Sequence, residues 1–369
     1  MINVTKPSNP SLAATALSGD LTFGRTFADL MVTIRHTDNR GWHDAAVVPF
    51  GPLTLSPAAK SLHYGLEIFE GHKAYALPDG DIALFRPELN AERLNISAAR
   101  MSMPTIPVSH QLEAVHTFVD AIRAWVPKNG GSLYLRPAII GTEGTIGVAP
   151  SSTHLYFVIA SPVAAYFAGP PRPLSVAVET QKTRAALGGV GYAKTGGNYA
   201  ASMKAKQTAK KNGFDEVLWL DGREHRYLEE LSAMNIIMIR EGVLVTPPTS
   251  ETILDGITRR SLIAIARDIG IRVEERPIAI DEVGEGIETG KVEEMMAVGT
   301  AAVVTPIGAL GIGDRRYTVR DGSPGPIALE LLDTLTGIQY GRRPDRYGWM
   351  QRVERRLPAS YVDTAKASA

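Results

Sequence analysis

The sequence predicts an α+β protein of two domains, on three observations. A chain of 369 residues exceeds what one hydrophobic core usually organises. Ala168-Gly-Pro-Pro-Arg-Pro173 sets three prolines in four residues and interrupts an otherwise patterned chain, as linkers do. Short strand-like stretches mix with helical ones on both sides of that break. These place a small N-terminal domain over 1–167, a linker over 168–175, and a larger C-terminal domain with antiparallel strands over 176–369.

In the first domain, Leu30 to Arg35, Ala45 to Phe50, Ile82 to Phe85, Leu133 to Leu135 and Leu155 to Ile159 read as strands, and Ala91 to Arg100 and Leu112 to Trp125 as helices. In the second, Val217 to Leu220, Met234 to Ile239 and Val243 to Val245 are apolar runs joined by short polar turns, which predicts an antiparallel meander. Leu262, Ile265, Ala266 and Ile269 share one face at helical spacing, so a helix starts near Ile257 and stops at Gly270. A second helix covers Ile280 to Glu288, and strands over Glu294 to Thr300 and Ala301 to Ile307 carry Gly299-Thr300-Ala301 between them.

Lysine plus arginine and aspartate plus glutamate both number 39, so no global charge draws the molecule to nucleic acid or an anionic membrane. The chain has no cysteine. That excludes disulfides, thiolate metal sites and a cysteine nucleophile, and it fits a reducing compartment. The longest apolar runs are too short to span a bilayer, and Met1 to Ser18 lacks the apolar core of a signal peptide. The expectation is a soluble, cytoplasmic protein that holds any charged ligand locally.

The segment Gly188-Gly-Val-Gly-Tyr-Ala-Lys-Thr-Gly-Gly-Asn-Tyr199 sets Lys194 between two glycine clusters, just ahead of the helical stretch Ala200 to Lys211. Glycines let backbone approach a ligand closely, and a partly desolvated lysine is suited to Schiff-base formation. The segment fits neither a Walker loop nor a dinucleotide fingerprint. Read alone, it is more simply a flexible loop with an exposed lysine. Glu230 stands just ahead of the apolar run Met234 to Ile239, where a buried carboxylate needs a cationic partner. Leu254-Asp-Gly-Ile-Thr-Arg259 opens a helix whose free amides, with the Thr258 hydroxyl, make a phosphate cup. Alone, these read as a surface glutamate and an ordinary helix start.

Across Phe23 to Trp349 the sequence resembles the branched-chain amino acid aminotransferases, pyridoxal-phosphate enzymes of fold type IV. The blocks that carry the resemblance include His63-Tyr-Gly-Leu-Glu-Ile-Phe-Glu-Gly-His-Lys-Ala-Tyr75, Leu84-Phe-Arg-Pro87, Leu133-Tyr-Leu-Arg-Pro137, Lys194 to Ser202, and Thr334-Leu-Thr-Gly-Ile-Gln-Tyr340. The Lys194 block with Glu230 and Gly256-Ile-Thr-Arg259 marks the fold type. Tyr134-Leu-Arg136 and Phe69-Glu-Gly71 mark the branched-chain subgroup.

The resemblance implies that Lys194 carries pyridoxal 5'-phosphate as an internal aldimine, Glu230 keeps the pyridine nitrogen protonated, and Tyr199 hydrogen-bonds the phenolic oxygen. It implies that Arg93, Ile257, Thr258 and Thr300 hold the phosphate, and that Phe23, Tyr64, Phe69, Tyr134, Arg136, Val148 and Ala301 form the substrate pocket. Tyr166 would help close the site. The implied reaction is ping-pong transfer of the amino group of leucine, isoleucine or valine to 2-oxoglutarate, by a homodimer that binds no nucleic acid, membrane or metal.

Departures from the family pattern bear on side-chain preference: Leu30 replaces a common histidine, Leu66 a glutamine, His72 a leucine or methionine, and Ser232-Ala233 a glycine followed by threonine or glycine. His72 has no second ligand at metal-binding spacing. D-amino acid aminotransferases, amine transaminases and aminodeoxychorismate lyases share the lysine, the glutamate and the phosphate cup. Tyr134-Leu-Arg136 and the long N-terminal region argue against all three. A cofactor-free binding protein of this fold would lack the lysine or the glutamate, and both are present.

Overall fold

The computed structural model describes residues 2–5, 12–19, 21–128, 130–164 and 171–357. Tyr166 lies outside the described residues, as does the start of the expected linker 168–175. Among them, contacts separate two compact units, 2–164 with 338–357, and 171–337.

The first unit carries strands β1 (Asn3–Val4), β2 (Leu30–Thr37), β3 (Gly41–Pro49), β4 (Glu67–Phe69), β5 (His72–Ala76), β6 (Ile82–Phe85), β7 (Ser132–Gly141) and β8 (Thr153–Val163). Its helices are α1 (Leu12–Leu17), α2 (Lys60–Tyr64), α3 (Pro87–Arg100) and α4 (Val108–Ala121). The strands form one sheet in the order β1-β3-β2-β8-β7-β5-β6, with Met350–Arg352 as its last member and β4 added against β7. Every pairing is antiparallel except β1 with β3. Leu94 and Ala98 of α3 and Ala114, Phe118 and Val119 of α4 pack with Leu84, Leu133 and Leu135 of the sheet in one core. This is the helical and period-two patterning of the sequence made physical.

Residues 338–357 correct the expectation that 176–369 is one domain. Met350–Arg352 pairs with β6, and a buried charge pair fastens residues 353–357 behind it. Asp120 accepts from the Arg356 and Leu357 amides at 2.9 Å each and from Arg123 Nε at 2.7 Å, while Arg123 also donates to the Val353 carbonyl. No local pattern in the C-terminal segment announces these long-range bonds.

The second unit contains β9 (Leu174–Glu179), α5 (Gly196–Lys211), β10 (Glu216–Leu220), β11 (Leu228–Leu231), β12 (Asn235–Arg240), β13 (Val243–Thr246), α6 (Ile257–Asp268), β14 (Val273–Glu275), α7 (Ile280–Glu288), β15 (Val292–Gly299), β16 (Val303–Ile312) and β17 (Arg315–Thr318). Helix α8 (Pro326–Gln339) follows. The order β11-β10-β9-β16-β15-β12 closes on itself because β11 also pairs with β12, and β13 and β14 extend the sheet beyond β12. Val176, Leu218, Leu228, Ile236, Met238, Ala297 and Leu310 belong to one buried core within this unit.

The expected antiparallel meander is present, but with β11 inserted between its first two runs. The unit is also not purely antiparallel, since β9 runs parallel to both of its neighbours. Helix α8 begins on a buried anion: Glu294 accepts from the Ile327 and Ala328 amides at 3.0 and 2.8 Å. Those donors have no partner inside the helix, and the dipole favours negative charge there. Among the described residues, no helix is long and apolar enough to cross a membrane.

Candidate active site

Lys194 stands at the end of the irregular stretch between β9 and α5, and this stretch is pinned rather than loose. Asn198 Nδ2 donates to the Val190 and Ala193 carbonyls at 2.8 Å each, and the Tyr192 amide donates to the Glu251 carbonyl at 3.0 Å. Gly191 approaches the neighbouring chain so closely that a Cβ there would sit 2.6 Å from the Thr252 Cα. Lys194 is half-buried between buried Ala193 and Thr195. Its Nζ donates to the Tyr199 hydroxyl and lies 4.8 Å from the centroid of that ring. A lysine so positioned is not the exposed lysine of a flexible loop.

Glu230 lies on β11 and is buried. Its Oε1 meets Arg184 Nη2 at 2.5 Å, and its Oε2 accepts from Asn235 Nδ2 at 3.1 Å. The same Asn235 amide donates to the Leu254 carbonyl at 2.9 Å. Glu230 is therefore an ion-paired interior carboxylate, and not the surface glutamate that the residue suggests alone.

The Leu254 segment leads directly into α6. Its N-cap is Gly256, where no side chain caps the first turn; a Cβ at Gly256 would overlap Asn235 Oδ1. The first-turn residues Ile257 and Thr258 are buried. Asn235 pairs with Val298 of β15, and Gly299 approaches Met234, its Cβ position lying 3.3 Å from Cγ. The turn bearing Thr300 and Ala301, both half-buried, follows at once. A continuous set of contacts thus links the Lys194 loop, residues 251–258, Glu230, Asn235 and the Gly299 turn. Ser232, at the position where the sequence departs from the family, is buried, and its hydroxyl has no hydrogen-bond partner among the described residues.

The first unit carries the residues expected to meet substrate other than Ala301. Phe23 packs edge-on against Tyr134 with ring centroids 4.8 Å apart. Arg136 lies 4.6 Å from the centroid of Phe69 and donates to the Tyr134 hydroxyl at 3.1 Å. Tyr64 donates to the Ile146 carbonyl, tying α2 to the loop that bears Val148, whose surface is 87% exposed. Buried Lys60 holds that loop from below, donating to the Ala149 and Pro150 carbonyls at 2.9 and 2.8 Å.

Arg93 is buried and makes a two-point contact with Glu70. That contact uses only part of a five-donor guanidinium. Leu30 is core, and Leu66 lies 2.7 Å from the Cβ position of Gly141. His72 is buried beside Tyr156 in a cavity of about 10 Å³, and burial pushes its pKa down to about 4, so it is neutral. No group of residues that could hold a metal ion occurs among the described residues.

Arg184 and Asn235 escape sequence reasoning, although both bind Glu230. Only Arg184 offers a signal: a charged residue in Thr183-Arg-Ala-Ala186, directly before the glycine-rich loop.

A helix start without a side-chain cap, a charged interior carboxylate and a lysine amine in contact with a phenol could together hold an aromatic aldehyde phosphate. The family described as amino-transferase class IV matches residues 67–310. The chain belongs to this family. As a class IV aminotransferase it is 47% identical over 337 residues to the branched-chain-amino-acid aminotransferase of Mycolicibacterium smegmatis, covering 90% of this chain and 92% of that one. It is 45% identical over 334 residues to a probable branched-chain-amino-acid aminotransferase of Staphylococcus aureus, covering 90% and 93%. Among solved structures, the branched-chain amino acid aminotransferase of Thermobaculum terrenum in its PLP-bound holo-form aligns with a TM-score of 0.73 at 26% identity, over 89% of this chain and 99% of that one. The Escherichia coli branched-chain amino acid aminotransferase aligns at 0.71 and 28% identity, with the same coverage. This class IV aminotransferase accordingly has the two-domain α+β fold of type IV enzymes.

Proposed function

We propose that this class IV aminotransferase transfers the amino group of L-leucine, L-isoleucine or L-valine to 2-oxoglutarate, using pyridoxal 5'-phosphate attached to Lys194. The observation that carries the reading is the Lys194 amine held on the Tyr199 hydroxyl in the same unit as the ion-paired carboxylate of Glu230. The residues fit the cofactor on their own chemistry: an amine for the aldehyde, a phenol for the phenolic oxygen, a buried anion for the ring nitrogen, and an uncapped helix start for the phosphate. The names of the relatives support the branched-chain assignment.

Pyridoxal phosphate, when bound, supplies a protonated ring that takes up the electron pair left when an α-proton departs. Lys194 Nζ is the attachment point and the base that moves this proton. Glu230 holds the ring nitrogen protonated by offering it a fixed negative charge, and Tyr199 hydrogen-bonds the phenolic oxygen. The Ile257 and Thr258 amides, the Thr300 hydroxyl and Arg93 bind the phosphate, where charge-assisted bonds anchor the cofactor through turnover.

Phe23, Tyr64, Phe69, Tyr134, Val148 and Ala301 supply an apolar and aromatic lining for an aliphatic side chain. Arg136 accommodates the second carboxylate of glutamate. A homodimer is part of the reading, because Val148 and Ile146, 87% and 68% exposed, offer apolar surface on a clamped loop for a partner subunit to cover. A cytoplasmic setting fits the absence of cysteine.

The test is a panel of leucine, isoleucine, valine, phenylalanine and a D-amino acid with 2-oxoglutarate. A methylene changes discrimination in such a pocket by only about 1–3 kcal/mol, so all three aliphatic donors should react with comparable kcat/KM. The branched-chain assignment fails if another donor exceeds all three by orders of magnitude. The unpartnered Ser232 hydroxyl favours, as the alternative, a preference shifted to another aliphatic or aromatic donor, or to a D-amino acid or amine.

A further inference from the structure

Glu229 and Glu230 are consecutive buried carboxylates on β11, and alternation along a strand sends their side chains to opposite faces. Glu229 lines an open cleft of about 690 Å³ with Tyr227, Pro247 and Ile253, and its Oε2 has no hydrogen-bond partner among the described residues. Buried Arg184 Nη2 donates to the Thr252 carbonyl at 2.5 Å and forms an ion pair with Glu230, 2.5 Å from its Oε1. Arg184 Nε has no hydrogen-bond partner among the described residues, so the carboxylate is not gripped through the Nε–Nη2 edge of the guanidinium.

We propose that Arg184 is a positioning residue of the transamination: anchored on the Thr252 carbonyl, it keeps the Glu230 carboxylate charged and aimed before the cofactor's ring nitrogen arrives. The proposal rests on the reading of Glu230 as the partner of that nitrogen. A carboxylate buried without a cation takes up a proton, and a neutral acid offers the ring nitrogen no fixed charge. Arg184 supplies the charge balance while the site is empty, so the anion is in place when needed, which is the condition for electrostatic preorganisation. Glu229 fits this division. Burial, offset in part by a Thr252 hydrogen bond and by Arg184, pushes its pKa up to about 7, so it holds a proton through much of the neutral range and leaves the guanidinium to Glu230. The Thr252 anchor also joins the guanidinium to the segment against which Gly191 of the Lys194 loop packs.

The experiment compares the parent enzyme, Arg184→Gln, Arg184→Lys and Glu230→Gln, each loaded with pyridoxal phosphate. It reads kcat, KM, the Kd for the cofactor and the visible absorption of the bound cofactor across pH. Arg184→Gln should lose about tenfold or more in kcat, an indirect share of the roughly 10²–10³-fold that losing an electrostatic partner of the transition state typically costs, with a smaller change in KM. Its cofactor absorption should shift in the same direction as that of Glu230→Gln. Arg184→Lys should recover most of kcat and the parental absorption, because an ammonium supplies the same balancing charge. If Arg184→Gln does not accumulate folded, Arg184→Gln with Glu229→Gln removes the neighbouring carboxyl whose residual charge would add to that of the stranded Glu230, and the same readouts apply. A folded variant with lowered Tm but parental kcat and absorption overturns the proposal and leaves Arg184 a structural residue. Parental kcat in Glu230→Gln instead overturns the reading of Glu230, so the two failures are distinct.

Discussion

Glu70 and Arg93 form a buried ion pair through two parallel hydrogen bonds, Nε to Oε1 at 2.7 Å and Nη2 to Oε2 at 2.9 Å. The carboxylate also accepts from Asn90 Nδ2 at 2.7 Å and from the Gly71 amide at 3.1 Å, so helix α3 is fixed to the bend between β4 and β5. Removing one partner of such a pair leaves the other charge buried and uncompensated. Glu70→Ala should therefore destabilise the protein by about 3–5 kcal/mol, as read by urea denaturation. A loss below about 1 kcal/mol would mean that the pair behaves like an exposed one.

A Cβ at Gly71 would overlap the Tyr134 hydroxyl, so a side chain there forces that ring to move. Tyr134 is fixed in turn by Phe23 and Arg136, and overpacking of this kind costs about 1–3 kcal/mol. Gly71→Ala should displace Tyr134 and raise KM for amino donors more than it lowers kcat. A variant with parental KM would remove Tyr134 from the substrate pocket.

His72 makes stability depend on acid. Burial holds its pKa near 4, against an ordinary value of 6.5; the charge of Glu70 opposes the shift weakly, and that of His116 adds to it slightly. A depressed folded pKa means that the unfolded chain binds the proton first. Stability is complete above pH about 6.5 and falls as the pH drops toward about 4, by on the order of 3 kcal/mol for this residue. His72→Gln should flatten that part of the stability profile, leaving the slope due to His154, which burial also holds near 4. An unchanged profile between those limits would place the acid sensitivity elsewhere.

The legible parts of this molecule are those whose physics is local. Helix α7 coincides with the expected Ile280 to Glu288, since its apolar positions fall on one face and Gly290 adopts a positive φ beyond its end. Strand β7 is half legible: Leu133 to Leu135 shows it, but it continues through Pro137 to Gly141, where a proline ordinarily ends a strand. Strand β11 is hidden because its centre is two glutamates, which no hydrophobic pattern would place inside. Glu230 is balanced by Arg184, 46 residues earlier, and only the fold supplies that partner. In the site, Lys194 is marked by its glycines. What the sequence could not show is that Asn198 and the Glu251 carbonyl pin its loop, and that Tyr199 receives its amine.

The central claim is that Lys194 carries the cofactor, and chemical trapping tests it most directly. The protein loaded with pyridoxal phosphate is reduced with borohydride, digested and mapped by mass spectrometry. The expected result is a pyridoxyl group on the peptide containing Lys194, and loss of that label in Lys194→Ala. A label on another lysine, or none in an enzyme that still transaminates, would contradict it.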